Sequence, residues 1–453
     1  MTPEPTDLAS IDRDVGRAHA AWRAWVRDLA TDPDQAADVE PLDRWRHVAG
    51  KTFYETLRAA KPSAADVPLR DALARWVFAL LLARIGHPVD VELARAIAEK
   101  SGHMRLPRPH LASWHEAWRG LVGAETTAER SSWLDVAVER GPILASVTRR
   151  LAQRRDEAAH RLGLAHQDAL FPVPREALVA AASTLLDRTD ELARDQLRAA
   201  RKRAELEDDP PGVTDAIAIA VARDAPEGWP ACLSPAWLET TFAPFIRGLR
   251  LEAPRVEAAL GGSSFARACS AFGASFRAAA ASPSLPFALA RDPAFVPMHR
   301  FASVFGALPA SPAFQKRVLG NGARVSANQA RVLARTALLH ARLEAARYLA
   351  SRAPPAIPFE DLTHRLFGAP LPRALAGAWP AAHEDSPARL VGLLTAPSLR
   401  TDLVDRFDED WFANPRATTH LRAIGSGPAY EDAPPTLDGP VTATVRAFEE
   451  ALA

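Results

Sequence analysis

Cysteine is almost absent from this chain of 453 residues: Cys232 and Cys269 are the only two. Two cysteines cannot build a disulfide framework, and no Cys-x-x-Cys occurs to grip a metal or run redox chemistry. An excess of either charge is also missing, because Lys plus Arg and Asp plus Glu number 55 each. No global field therefore draws in nucleic acid or an anionic membrane, and neither is expected as a partner. The longest apolar run, about Trp76 to Ala83, is far too short to cross a bilayer. Met1 to Asp14 is acidic and polar, unlike a secretory signal, so the expected location is cytoplasmic.

What the chain does contain is ordinary globular material, 48% hydrophobic and 24% charged. Its basic residues are nearly all Arg and Ala is abundant, a pattern that fits a GC-rich coding bias better than a phosphate-binding surface. Apolar residues recur at three- and four-residue spacing almost throughout, which predicts a helix-dominated, all-α body with little or no β. Helices are expected over Leu69 to Ile85, ending at Gly86-His87-Pro88, and over Trp133 to Leu162, interrupted near Gly141-Pro142. Two longer ones are expected from about Pro174 to Glu207 and from Val325 to Ser351. Short strands are conceivable only around Thr214 to Val221 and near Leu249. The 38 prolines punctuate the helices, and no fixed-period repeat suggests a solenoid.

The common chemical motifs fail on inspection. A helical zinc site needs two imidazoles one turn apart with a glutamate beside them, and no two of the 13 histidines are four residues apart. His115-Glu116-Ala117-Trp118-Arg119 begins correctly but ends in Arg, which cannot ligate a metal. Gly50-Lys51-Thr52 has Trp45 where a phosphate-binding loop needs Gly, and the segment before it reads as helix. Gly320-Asn321-Gly322 reads as a helix-to-helix turn. The acidic segment Asp405, Asp408, Glu409 and Asp410 reads as a solvated helix end anchored by Trp411 and Phe412.

From residue 261 onward the order of features resembles the zinc oligopeptidases related to oligoendopeptidase F and thimet oligopeptidase. In that family a helix carries His-Glu-Phe-Gly-His or a close variant. A Leu-Pro-Phe-Glu-Leu-like stretch follows, then a helix with Glu-Gly-x-Ala-Phe that supplies the third ligand. This chain reads Ser270-Ala271-Phe272-Gly273-Ala274, Leu285-Pro286-Phe287-Ala288-Leu289, and His299-Arg300-Phe301-Ala302-Ser303-Val304-Phe305-Gly306. The block Asp410-Trp411-Phe412-Ala413-Asn414-Pro415-Arg416 is similar to one near the C-terminus of some subgroups, and Leu185 to Leu192 to a helix of their N-terminal half.

The resemblance implies a large multi-helical body with a central cleft, and residues 171–430 as the counterpart of the catalytic body. It leaves 1–170 as an N-terminal helical region and 431–453 as a tail. It also places Ser270 and Ala274 where two zinc-binding histidines would stand, Ala271 at the water-activating glutamate, and the third ligand near Met298 or His299, preferably His299. A lone imidazole cannot hold zinc where three protein ligands are usual. Without metal and base, nothing polarises a scissile carbonyl or takes the proton of the attacking water. No catalytic residue, no metal ligand and no cofactor is therefore expected. The expectation is a catalytically inactive, peptidase-like protein that binds a peptide or protein, as scaffold or regulator, with Ser270, Ala271, Ala274 and His299 lining its cleft. Two alternatives stand beside it. One is a hydrolase whose relocated metal site gathers His299, His340 and His364 with Glu344 or Asp361; the other is a helical assembly protein without peptidase ancestry. Without the resemblance, Phe265, Cys269, Phe272 and Phe276 read simply as one core-facing side of an alanine-rich helix.

Overall fold

The computed structural model describes residues 7–124, 126–203, 212–214, 235–247, 262–351, 357–379, 386–429 and 436–453. Its N-terminal part contains α1 (Leu8–Thr31), α2 (Pro33–Ala37), α3 (Lys51–Ala59) and α4 (Val67–Ala98). A hairpin of β1 (Gly102–Met104) and β2 (His110–Ala112) follows, then α5 (Trp114–Gly123), α6 (Thr127–His160) and α7 (Arg175–Arg203). After α8 (Pro235–Thr241) and α9 (Ala243–Ile246) come α10 (Gly262–Ala280), α11 (Phe287–Ala290), α12 (Val296–Gly306) and α13 (Pro312–Leu319). The chain closes with α14 (Ala323–Ala350), α15 (Phe359–Phe367), α16 (Ser386–Phe407), α17 (Pro415–Ser426) and α18 (Asp438–Leu452). The helix-dominated class is as expected. The hairpin, antiparallel with Gly102 opposite Ala112, lies where no strand was anticipated, because three residues per strand leave no alternation to read. Of the strand candidates, Thr214 is helical, while residues 215–221 and Leu249 lie outside the described residues.

Two helix boundaries need correcting. α4 does not stop at Gly86-His87-Pro88 but continues to Ala98, and α6 runs unbroken through Pro142. An internal proline costs a helix about 3 kcal/mol. Both helices recover that from tertiary structure. Beyond Pro88, Val89, Leu93 and Ala96 enter the main core, His87 Nε2 lies 2.9 Å from the Val39 carbonyl, and Arg155 pairs with Asp90 at 3.2 Å. Beside Pro142, Leu144 and Val147 enter the same core, and a Cβ on Gly141 would stand 2.5 Å from the Ala374 carbonyl oxygen.

Three large apolar clusters organise the body. One gathers α1, α3 and the first half of α4 around Val15, Leu73 and Trp76. The largest joins the end of α4 through α6 to α7, α14, α15, the start of α16 and α18, so it draws on both sides of residue 170. The third is aromatic: Phe242, Phe265, Phe272, Phe276, Phe301, Phe305, Phe314 and Trp411 interlock, with Phe242 stacked on Phe272 at 4.3 Å. Phe265, Cys269, Phe272 and Phe276 do form the core-facing side of α10. Gly320, at φ 68°, terminates α13 in the left-handed conformation that glycine adopts without steric cost, so Gly320-Asn321-Gly322 is the helix-to-helix turn the sequence indicated. Trp411 and Phe412 are buried as anticipated.

Candidate functional site

α10 and α12, the helices that carry the resemblance, pack directly against each other and run antiparallel. The reason is local: small residues occupy the crossing. A Cβ on Gly273 would stand 2.5 Å from the Phe301 carbonyl oxygen, and one on Gly306 would meet Ser270 Cβ at 3.1 Å. α16 crosses the other side of α12 as tightly, because a Cβ on Gly392 would meet His299 Cβ at 2.6 Å. Ser270, Ala271 and Ala274 lie with exposed Arg267 on the less buried side of α10, opposite the aromatic face. His299 is half-buried near the start of α12. Ser270 thus contributes to the helix crossing itself, beside Gly306.

The short stretch Leu285 to Leu289 has a second task. Asp12 of α1 accepts hydrogen bonds from the backbone N–H groups of Phe287 and Ala288 at 2.7 and 2.8 Å, which caps α11. Trp76 donates its indole N–H to the Arg291 carbonyl at 2.9 Å, and Phe287 packs on His19 and Trp76. Burial first, then the charges of Arg23 and Arg291, lower the His19 pKa to about 4, so this imidazole is neutral near pH 7. These contacts fasten the N-terminal helices to the body that carries α10 and α12.

The most unusual surface belongs to α14. Between Val332 and Leu349 its residues are buried on all sides except along one stripe. In that stripe Ala337 and Arg347 are half-buried and His340 is exposed, with buried Glu344 between them at helical spacing. Part of His340 reaches solvent while the rest of the ring is enclosed by protein, and that burial first, then the charges of Arg347, Arg267 and Arg389, lowers its pKa to about 4. Arg389 is held in place by α16. One turn before it Ser386 Oγ donates to Glu344 Oε2 at 2.9 Å, and one turn after it Gly392 meets His299. Glu344 also pairs with Arg347 at 3.4 Å. The stripe on α14, Arg389 on α16 and Arg267 on α10 thus come together, in a grouping that sequence spacing alone does not reveal.

Two other possibilities are less suited to a sizeable ligand. A cavity of about 130 Å³ lies between Val304, Leu308, Arg400, Val404 and Trp411, smaller than ordinary small-molecule pockets. Cys269 is wholly buried, and burial pushes its thiol well above the usual cysteine range, so it is no nucleophile. Cys232 lies outside the described residues.

Known structures share the overall fold. The chain aligns over its whole length with 97% of an X-ray structure assigned to oligoendopeptidase F, at a TM-score of 0.57 and 12% identity. A second match, the crystal structure assigned to oligoendopeptidase F from Bacillus anthracis str. Ames, covers 89% of this chain and 82% of its own, at a TM-score of 0.55 and 10% identity. This chain has the oligoendopeptidase F fold. At such identities the likeness concerns the fold alone, and no protein-family model and no curated protein matches the sequence.

The zinc that the resemblance would call for does not suit the residues present. Ser270, Ala271 and Ala274 offer no imidazole or carboxylate, which leaves His299 alone among the four positions. Among the described residues no three His, Cys, Asp or Glu side chains gather into a metal-binding group. The set His299, His340, His364, Glu344 and Asp361 is not brought together in this way: His364 and Asp361 are exposed on α15, and Glu344 is engaged by Ser386 and Arg347. No described helix is long and apolar enough to cross a membrane.

Proposed function

We propose that this protein is a catalytically inactive descendant of a zinc oligopeptidase, a cytoplasmic binding protein that holds a peptide or an extended protein segment in the inherited cleft. The observation that carries the reading is the α10–α12 crossing. Two helices pack closely in a chain with the oligoendopeptidase F fold, and on the correspondence that the sequence resemblance implies Ser270, Ala271 and Ala274 take the places of ligands and base. With neither a polarising cation nor a positioned base, water attack on a peptide bond receives none of the usual assistance. In this reading the less buried side of α10, half-buried His299 and exposed His340 are the surfaces that would contact an extended chain. A role as scaffold or as regulatory partner of an active relative is in keeping with such a surface.

Elemental mass spectrometry of natively purified protein, paired with a cleavage assay on a diverse peptide pool, tests the reading. The expected result is no stoichiometric zinc, no chelator-sensitive cleavage, and retention of peptides from the same pool. Stoichiometric zinc with chelator-sensitive hydrolysis would overturn it.

A further inference from the structure

The small cavity at the C-terminal end of α12 has the makings of a separate site. Its floor is apolar: Val304, Leu308 and Trp411 line it, and all three are buried. Its rim is charged, because Arg400 of α16 and Glu409 also line it and both are exposed. Glu409 belongs to the acidic segment that follows α16. There Asp408, at φ 68°, turns the chain, and Glu409 and Trp411 reach the same cavity. Among the described residues neither Arg400 nor Glu409 makes an ion pair or a side-chain hydrogen bond, with each other or with anything else. Glu450 also acts on Arg400 through its charge, but its carboxylate is taken by Arg446 at 2.7 Å. Ser311, only 8% exposed, lines the cavity and precedes α13, yet its hydroxyl makes no capping bond to that helix. A hydroxyl enclosed to this degree normally has a partner. A cation, an anion and a hydroxyl, all unengaged, thus surround one apolar hollow.

We infer that this cavity binds a free aliphatic α-amino acid about the size of valine, its side chain on the apolar floor and its charged end at the rim. The carboxylate meets the Arg400 guanidinium and the Ser311 hydroxyl, beside the start of α13, where the helix dipole favours an anion. The ammonium meets Glu409. One small zwitterion thereby engages a cation and an anion that share a hollow without pairing. The size agrees, since about 130 Å³ is close to the roughly 150 Å³ of a cavity that admits benzene. A peptide cannot take this place, because its carboxylate and its ammonium stand at opposite ends. The site is therefore distinct from the peptide-binding surface proposed above.

Equilibrium dialysis of the full chain against radiolabelled L-valine is the test, with unlabelled L-valine, N-acetyl-L-valine, L-valinamide and glycine as competitors. Saturable binding of one valine per chain is expected. N-acetyl-L-valine lacks the ammonium and L-valinamide the carboxylate, so each should compete at least about tenfold less well, the worth of one charge-assisted hydrogen bond. Glycine, with no side chain for the floor, should also compete at least about tenfold less well. R400Q and E409Q should each weaken valine binding at least about tenfold. Both residues are exposed and unbonded, so both variants should fold, and each checks the other. Absence of saturable binding, or binding undiminished in either variant, would overturn the inference. Competition by N-acetyl-L-valine or by glycine equal to that of valine would overturn it as well.

Discussion

Arg342 offers the most stringent test of how this body is held together. Its guanidinium, 1% exposed, donates to the Leu186 carbonyl at 3.0 Å, Thr189 Oγ1 at 2.7 Å, Asp190 Oδ1 at 2.6 Å and the Arg365 carbonyl at 2.8 Å. One side chain of α14 therefore ties α7 to α15. Asp190 is shared, since Arg365 also reaches it at 2.8 Å. Burial alone would raise the Asp190 pKa, but the hydrogen bonds from Arg365 and Arg342 outweigh it and leave it below the ordinary carboxylate value.

Replacing Arg342 with Met keeps most of the volume and removes the charge. The carbonyls of Leu186 and Arg365 lose a donor, while Asp190 retains Arg365, so the loss should be about 3 kcal/mol, the low end for breaking a buried pair. D190N should cost about 4 kcal/mol, because it leaves Arg342 buried against an uncharged amide. In the double variant that buried charge is gone, so its cost should fall short of the sum by about 1–3 kcal/mol. Urea unfolding followed by both tryptophan fluorescence and circular dichroism measures all three, and coincident transitions would license the free energies. A loss below about 1 kcal/mol for R342M, or strict additivity, would show that the network is ornamental. The paired carboxylate also fixes a pH signature. A depressed pKa means that the contribution of Asp190 is complete above the unfolded value near 4 and is lost as pH falls through the folded one.

Two further perturbations probe the site's frame. G392A should cost about 2 kcal/mol despite alanine's better helix propensity, because its Cβ would press on the backbone of His299 and Arg300; G439A, with nothing within 4 Å, should be nearly neutral by the same urea assay. His19 and Asp292 should act oppositely on acidification. The lowered pKa of buried His19, about 4, gives stability that is present above pH 6.5 and lost as pH falls toward 4. Burial raises the Asp292 carboxyl to about 6 against the bonds it accepts from Ala294 and Val296 N–H, so its contribution grows as pH falls from 6 toward 3.8. Each is worth about 3 kcal/mol at most, so D292N should lose more stability than wild type between pH 7 and 4.5, and H19N less; the reverse order of unfolding midpoints would refute the assignment.

Much of the fold was legible because it obeys periodicity. α7 and α14 begin within two residues of the expected positions, the aromatic face of α10 follows from four-three-four spacing, and Gly320 marks its turn. What failed depends on partners far along the chain. Pro88 and Pro142 read as helix ends until the opposing core and the close approach of Gly141 to Ala374 are known. The arginines misled differently. Composition made them a coding bias, yet Arg140, Arg277, Arg335 and Arg342 are almost wholly buried, and Arg342 joins three helices. No local signal separates such an arginine from a surface one, because three of its partners, Leu186, Thr189 and Asp190, lie more than 150 residues earlier and the fourth, the Arg365 carbonyl, lies on another helix.

The same contrast bears on the site. The small residues of α10, α12 and α16 have a packing task of their own. Ser270 fits against Gly306, Gly273 lets α10 approach the Phe301 carbonyl, and Gly392 lets α16 reach His299. Larger side chains at these positions would push the helices apart, since overpacking a crossing costs about 1–3 kcal/mol. The crossing is tight and the aromatic core behind it is interlocked. A frame of this rigidity is what any site on these helices would stand on, whether it binds or reacts.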